Sequence, residues 1–113
     1  MSDDDLPIID AHHHIWDLAL GKHPWLAPDT IIPFRYGDYS AIKRNFLPAD
    51  YAQVTRGHNV VASVTMEAEW DEHDLAGETR WMAKVIAASG MPAAHVARAL
   101  LDSDDVASDL AAH

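Results

Sequence analysis

IIDAHHHIWD, residues 8–17, sets three histidines between a β-branched run and a Trp-Asp pair. Ile8, Ile9 and Ile15 favour an extended backbone, and the run from Leu6 to Ile15 is too short for a typical helix, so it reads as a first strand. Imidazoles at the end of such a strand admit three readings: a purification tag, core histidines with ordinary hydrogen bonds, or part of a metal site. Tags are terminal, longer and flanked by linker, which this run is not. Successive side chains of a strand alternate, which predicts Asp10, His12 and His14 on one face and His13 on the other. Two imidazoles so spaced can converge on one divalent ion, and neutral imidazole is a good ligand for zinc and similar metals. Asp10, one step deeper, is placed to orient an imidazole by accepting a hydrogen bond from its second nitrogen. Spacing alone leaves structural histidines and metal ligands both open.

Beyond this strand, Asp17 to Leu47 carries Pro24, Pro28, Pro33, Gly21 and Gly37 among the aromatics Trp25, Phe34, Tyr36 and Tyr39. That composition breaks regular structure yet has large side chains to bury, the mark of a functional loop that lines a pocket. Pro48 in a first turn, Asp50 behind it and Gly57 beyond predict a helix over 48–56. NVVASVTMEAEW follows as a second strand, and its apolar run from Val60 to Met66 fits a parallel strand covered on both faces. Asp74 is a candidate cap for a helix running to Ser89 and ended by Gly90 and Pro92. Leu75, Met82, Ile86, Ala83 and Ala87 fall near helical spacing in it, with Glu78, Arg80 and Lys84 as polar positions. AHVARALL, residues 94–101, reads as a third strand, and Ser103 as the N-cap of a last helix through Val106 and Leu110, with Asp104 and Asp105 at its positive end. The alternation of strand and helix predicts right-handed crossovers and a parallel sheet, with no internal repeat and no domain boundary.

With 113 residues, 49% of them hydrophobic, the chain has the material for one core. Eight basic against eighteen acidic residues, a net charge of −10, argue against nucleic-acid backbones and anionic lipid as partners. Cysteine is absent, so a metal must be held by His, Asp or Glu. The opening Met1-Ser2-Asp3-Asp4-Asp5 is acidic where a signal peptide is basic, and no apolar run has the length of a membrane span, which predicts a soluble, cytoplasmic protein.

The Asp-x-His-x-His pattern at the end of the first strand resembles the opening of the amidohydrolase superfamily. The continuation HPWL, PFRYGDYSAIKRNFLPADY, VVASVTMEAEWD and GETRWM resembles its branch called amidohydrolase family 2, which includes sugar-lactone and dicarboxylate lactone hydrolases, and the likeness covers nearly the whole chain. The resemblance implies a (β/α)8 barrel in which His12 and His14 match the first-strand ligands of a divalent metal, zinc in the first instance. It also implies a lactone or cyclic amide as substrate, a water or carbonyl activated by the ion, and a proton-transferring carboxylate on the last strand.

Glu67, at the end of the second strand and of the same parity as Ser63 and Thr65, reads either as a substrate or water contact or as a loop anchor. Trp25 reads as a wall of the substrate pocket or as a plug for a hydrophobic gap. Glu69, Asp71 and Glu72 read as a solvated charge cluster, Glu78 and Arg80 as ties between helix and sheet, and His23, His58, His73, His95 and His113, which lack paired spacing, as ordinary histidines.

A complete barrel of this type takes about 250 residues. Residues 1–113 are therefore expected to be the N-terminal part of a single, incomplete barrel domain: an α/β fold of about the first three βα units, with a long loop after the first strand. The family's ligands on the fifth, sixth and eighth strands have no counterpart here. Two histidines fall short of the three protein ligands usual in catalytic zinc sites, so the chain alone is expected to be without turnover. Its open sheet edges favour self-association. The rival reading is a small α/β binding module without chemistry, or a complementation partner for a chain that supplies the remaining strands.

Overall fold

A computed structural model describes residues 5–33 and 37–113; Phe34 and Tyr36 of the loop aromatics, and the acidic opening up to Asp4, lie outside the described residues. Strands β1 (Ile8–His13), β2 (Val60–Met66) and β3 (Ala94–Val96) form one parallel sheet in the order β1-β2-β3. Helices α1 (Pro48–Val54), α2 (Leu75–Ser89) and α3 (Val106–Ala112) alternate with them. Each new strand is laid beside the last with no reversal of order. That is the strand sequence of a barrel wall, one that a single half of a doubly wound sheet shares. Among the described residues no helix is long and apolar enough to cross a membrane.

Local sequence accounts for most boundaries. Pro48 opens α1, and Asp50 in its first turn accepts the Leu47 N–H at 2.9 Å. At the end of α2, Gly90 adopts φ +76° and its N–H returns to the Ile86 carbonyl at 2.8 Å, closing the helix as only a residue without a side chain does cheaply. Other boundaries differ from expectation. β3 stops at Val96, which pairs with Met66 at the end of β2. Asp74 stands at the N-cap of α2 without capping it; its carboxylate is taken by Lys22 at 3.1 Å and Arg80 at 2.7 Å. Ser103 does not cap α3 either: Asp105 holds that position, and the Ser103 hydroxyl accepts the Asp105 N–H at 3.1 Å.

Three short 3₁₀ turns, at Leu18–Leu20, Pro24–Leu26 and Ser40–Ile42, order the long loop. Its neck is closed by an antiparallel bridge between Trp16 and Phe46, with N–H to O distances of 2.9 and 3.1 Å. Ile15, Leu26, Tyr51, Leu75 and Met82 are buried, as are Ser63 and Thr65 of β2. The core thus gathers where loop, α2 and the middle of the sheet meet. Elsewhere the sheet is bare, with Ile9 67% and Val61 59% exposed. The radius of gyration, 15.8 Å, exceeds the value of about 13 Å for a closed domain of this length, as an open sheet requires.

Candidate metal centre and aromatic pocket

β1 carries one residue more than β2 between the pairs Asp10–Ser63 and His13–Thr65. Such a bulge flips the alternation of side chains across it. Asp10 and His13 consequently meet the same partner: the Tyr51 hydroxyl of α1 donates to Asp10 Oδ2 at 2.9 Å, and the His13 ring stacks on Tyr51 with centroids 4.1 Å apart. This corrects the strict-alternation reading. Asp10 does not orient an imidazole; its other oxygen accepts the His12 backbone N–H at 3.2 Å.

Burial pushes against ionisation of Asp10, but the two hydrogen bonds outweigh it and hold the carboxyl below its ordinary range. Its own burial, with the same contact, drives the Tyr51 phenol up to about 12. Burial holds the His13 imidazole below its ordinary value despite the nearby Asp10.

His12 and His14 come together beyond the bulge, with ring centroids 5.2 Å apart in an edge-to-face arrangement. His14 Nδ1 lies 3.1 Å from the Met66 carbonyl at the end of β2. A carbonyl only accepts, so Nδ1 carries the proton and the lone pair of the neutral ring is on Nε2. That is how metal-binding imidazoles are ordinarily oriented. Two rings bound to one ion through bonds of about 2.1 Å, at a tetrahedral angle, would have their centres about 5 Å apart. The separation of the two rings therefore matches the spacing of two imidazoles on one ion. Among the described residues, no group of three or more His, Cys, Asp or Glu is placed to hold a metal ion.

The loop builds an aromatic wall beside His14. Trp16 stacks on His14 at 6.4 Å and meets Trp25 edge-on at 5.6 Å. Both indoles are pinned: Trp16 Nε1–H donates to the Arg44 carbonyl at 2.7 Å and Trp25 Nε1–H to the Ala68 carbonyl at 2.8 Å. His14, Trp16, Trp25, Ile42, Glu67 and Glu69 surround a cavity of about 390 Å³, within the range of small-molecule pockets. The structure thus brings His14, Glu67 and Trp25 to one opening at the carboxyl ends of β1 and β2. Glu67 also anchors the loop, accepting the Glu69 N–H at 2.8 Å and so supporting the left-handed φ of +55° at Glu69. Glu69 and Glu72 are exposed as expected, whereas Asp71 pairs with Lys22 at 3.6 Å.

Glu78, expected to tie helix to sheet, does so at the centre of a second cluster. Glu78, 3% exposed, accepts from His23 Nε2 at 3.4 Å and from the Ala68 N–H at 3.2 Å, while its other oxygen is 3.5 Å from His95 Nε2. His95 Nδ1 in turn lies 2.8 Å from the Thr65 hydroxyl. Burial would push the Glu78 carboxyl up, but the bonds from His23 and Ala68, with the His95 ring close by, override it and bring it down to about 2. His113 is likewise engaged, with Thr79 Oγ1 at 2.7 Å and the Arg98 carbonyl at 2.9 Å. The signal for Glu78 was its spacing: Leu75, Glu78 and Met82 lie three and four residues apart, on one stripe of α2.

No model of a known protein family matches the chain. It is 36% identical over 109 residues to the uncharacterised protein y4mH of Sinorhizobium fredii, an alignment that takes in 96% of this chain and 36% of the relative. Among solved structures it is similar to an amidohydrolase from Burkholderia multivorans crystallised with bound zinc, with a TM-score of 0.61 and 21% identity, over 91% of this chain and 32% of that one. The chain spans about a third of the length of either protein. What it shares with the solved structure is the fold: the open parallel sheet and its helices match part of an amidohydrolase barrel.

Proposed function

We propose that this chain forms the first three βα units of an amidohydrolase-type barrel enzyme that opens a lactone, or a related cyclic ester or amide, by attack of an activated water. The observation that carries the reading is the His12–His14 pair: two rings 5.2 Å apart, one with its Nδ1 proton fixed on the Met66 carbonyl. Barrel enzymes keep their chemistry at the carboxyl ends of the strands, where this pair lies. His12 and His14 would hold a divalent ion, zinc in the first instance. When bound, such an ion supplies a water of lowered pKa or a polarised carbonyl.

The chain's own residues have distinct parts in this reading. The Met66 carbonyl keeps the His14 lone pair on Nε2. Trp16 and Trp25 offer flat apolar surfaces to a cyclic substrate and exclude water from one side of the cavity. Glu67, on the same cavity, is assigned a substrate or water contact in addition to its hold on Glu69. The remaining ligands and the proton-transferring carboxylate belong, in this reading, to later strands of the barrel.

The test is a fusion of residues 1–113 to the part of the Sinorhizobium fredii protein that lies beyond the aligned region. The folded fusion is expected to hydrolyse members of a lactone panel only with a divalent metal, and the His12→Ala/His14→Ala form is expected to be inactive. Equal hydrolysis by the doubly substituted fusion would overturn the assignment.

A further inference from the structure

Trp25 is linked through its neighbours to a side chain that does not line the cavity. His23 precedes the turn Pro24–Leu26 that carries Trp25, and the Trp25 indole donates to the Ala68 carbonyl at 2.8 Å. Glu78 Oε2 reaches both supports, taking His23 Nε2 at 3.4 Å and the Ala68 N–H at 3.2 Å. Glu78, His23, Trp25 and Ala68 therefore close a ring of contacts around one carboxylate. His95 faces the other oxygen at 3.5 Å, and Thr65 backs His95 at 2.8 Å, which fixes the direction in which Oε2 points.

We propose that Glu78 is a positioning residue for the aromatic wall of the His14 cavity, holding Trp25 through His23 on one side and the Ala68 peptide on the other. Water is a poor substitute there: Glu78 is 3% exposed, His23 4% and Ala68 5%. Losing the negative charge leaves the Ala68 N–H and the His23 ring with at most a neutral acceptor in a buried place, which loosens the segment that receives the Trp25 indole. The consequence for ligand binding rests on reading this cavity as a substrate site. The positioning itself does not.

The test follows the Trp25 indole N–H by NMR in the 113-residue chain without added metal, the resonance being identified through Trp25→Phe. Hydrogen exchange at this proton reports local opening, once corrected for global stability from urea unfolding. Glu78→Gln keeps one acceptor oxygen and the shape; His23→Phe keeps the carboxylate and breaks only the loop arm; Met82→Val loosens the same helix elsewhere. Loss of a charge-assisted bond predicts corrected exchange at least about tenfold faster in Glu78→Gln and in His23→Phe, with no change in Met82→Val. Unchanged exchange in the first two, or an equal rise in Met82→Val, would overturn the positioning role. Should one of the two variants fail to fold, the other decides. Zinc shifts at His12 and His14, read in the same samples, test the metal reading separately: their absence would remove that reading and leave the Glu78 result standing.

Discussion

Replacing Glu78 by glutamine removes a buried charge with little change of shape, and the effect should depend on pH in a calculable way. Two donors and the nearby His95 ring bring the folded carboxyl from an ordinary 4.5 to about 2 despite its burial. A depressed carboxyl contributes stability that is complete above the unfolded value and is lost as pH falls through the folded one. A drop of this size amounts to about 3 kcal/mol, of which about 2 kcal/mol is gone by pH 3. Burial of the group keeps solvent screening from eroding the figure. Urea unfolding followed by far-UV circular dichroism, on the parent and Glu78→Gln at intervals from about pH 6 to pH 3, isolates the cluster of Glu78 with the His23 and His95 rings that face it, because titrations elsewhere are common to both proteins. The difference in unfolding free energy is expected to be steady above about pH 5.5 and to shrink by about 2 kcal/mol by pH 3. A difference that stays constant over this range, or widens on acidification, would refute the electrostatic account of the cluster.

Tyr51→Phe removes the donor to Asp10 Oδ2 and should cost about 1–2 kcal/mol by the same urea assay. In the parent, ultraviolet titration should show one phenol ionising near 12 rather than 10, with stability falling as pH rises from the ordinary value toward the raised one. Gly77→Ala should destabilise although alanine favours helix by about 1 kcal/mol, because its Cβ would come within 2.7 Å of Asp74 Cγ and Trp70 Nε1 and displace the carboxylate from Lys22 and Arg80; a lower midpoint of thermal unfolding checks it. The exposed Ile9 and Val61 on an open sheet predict concentration-dependent sedimentation, which Ile9→Lys/Val61→Lys should suppress.

The order of elements was legible because each carries a local cause: Pro48 and Gly90 bound their helices, and the apolar run Val60–Met66 coincides with β2. Boundaries set by partners were not. β3 ends at the residue that pairs with the last of β2, and Asp74 left its capping role for two cations that only the tertiary fold brings to it. In the candidate site, strand alternation brought His12 and His14 together correctly but misplaced Asp10, because a bulge leaves no mark in composition and shows only in the pairing of two strands. His23 and His95 looked ordinary for the opposite reason: their common partner is 55 residues from one and 17 from the other, and nothing local to either names it.

In the proposed site, His12 and His14 face one point in space with lone pairs available to a cation. Adding zinc to the isotope-labelled chain while recording imidazole nitrogen spectra tests it most directly. The Nε2 signal of His14 and a ring-nitrogen signal of His12 are expected to shift together, saturating at one ion per chain, while the exposed His58 and His73 stay in place at the same concentration. Shifts spread equally over the exposed histidines, or a His14 ring that binds through Nδ1, would contradict it.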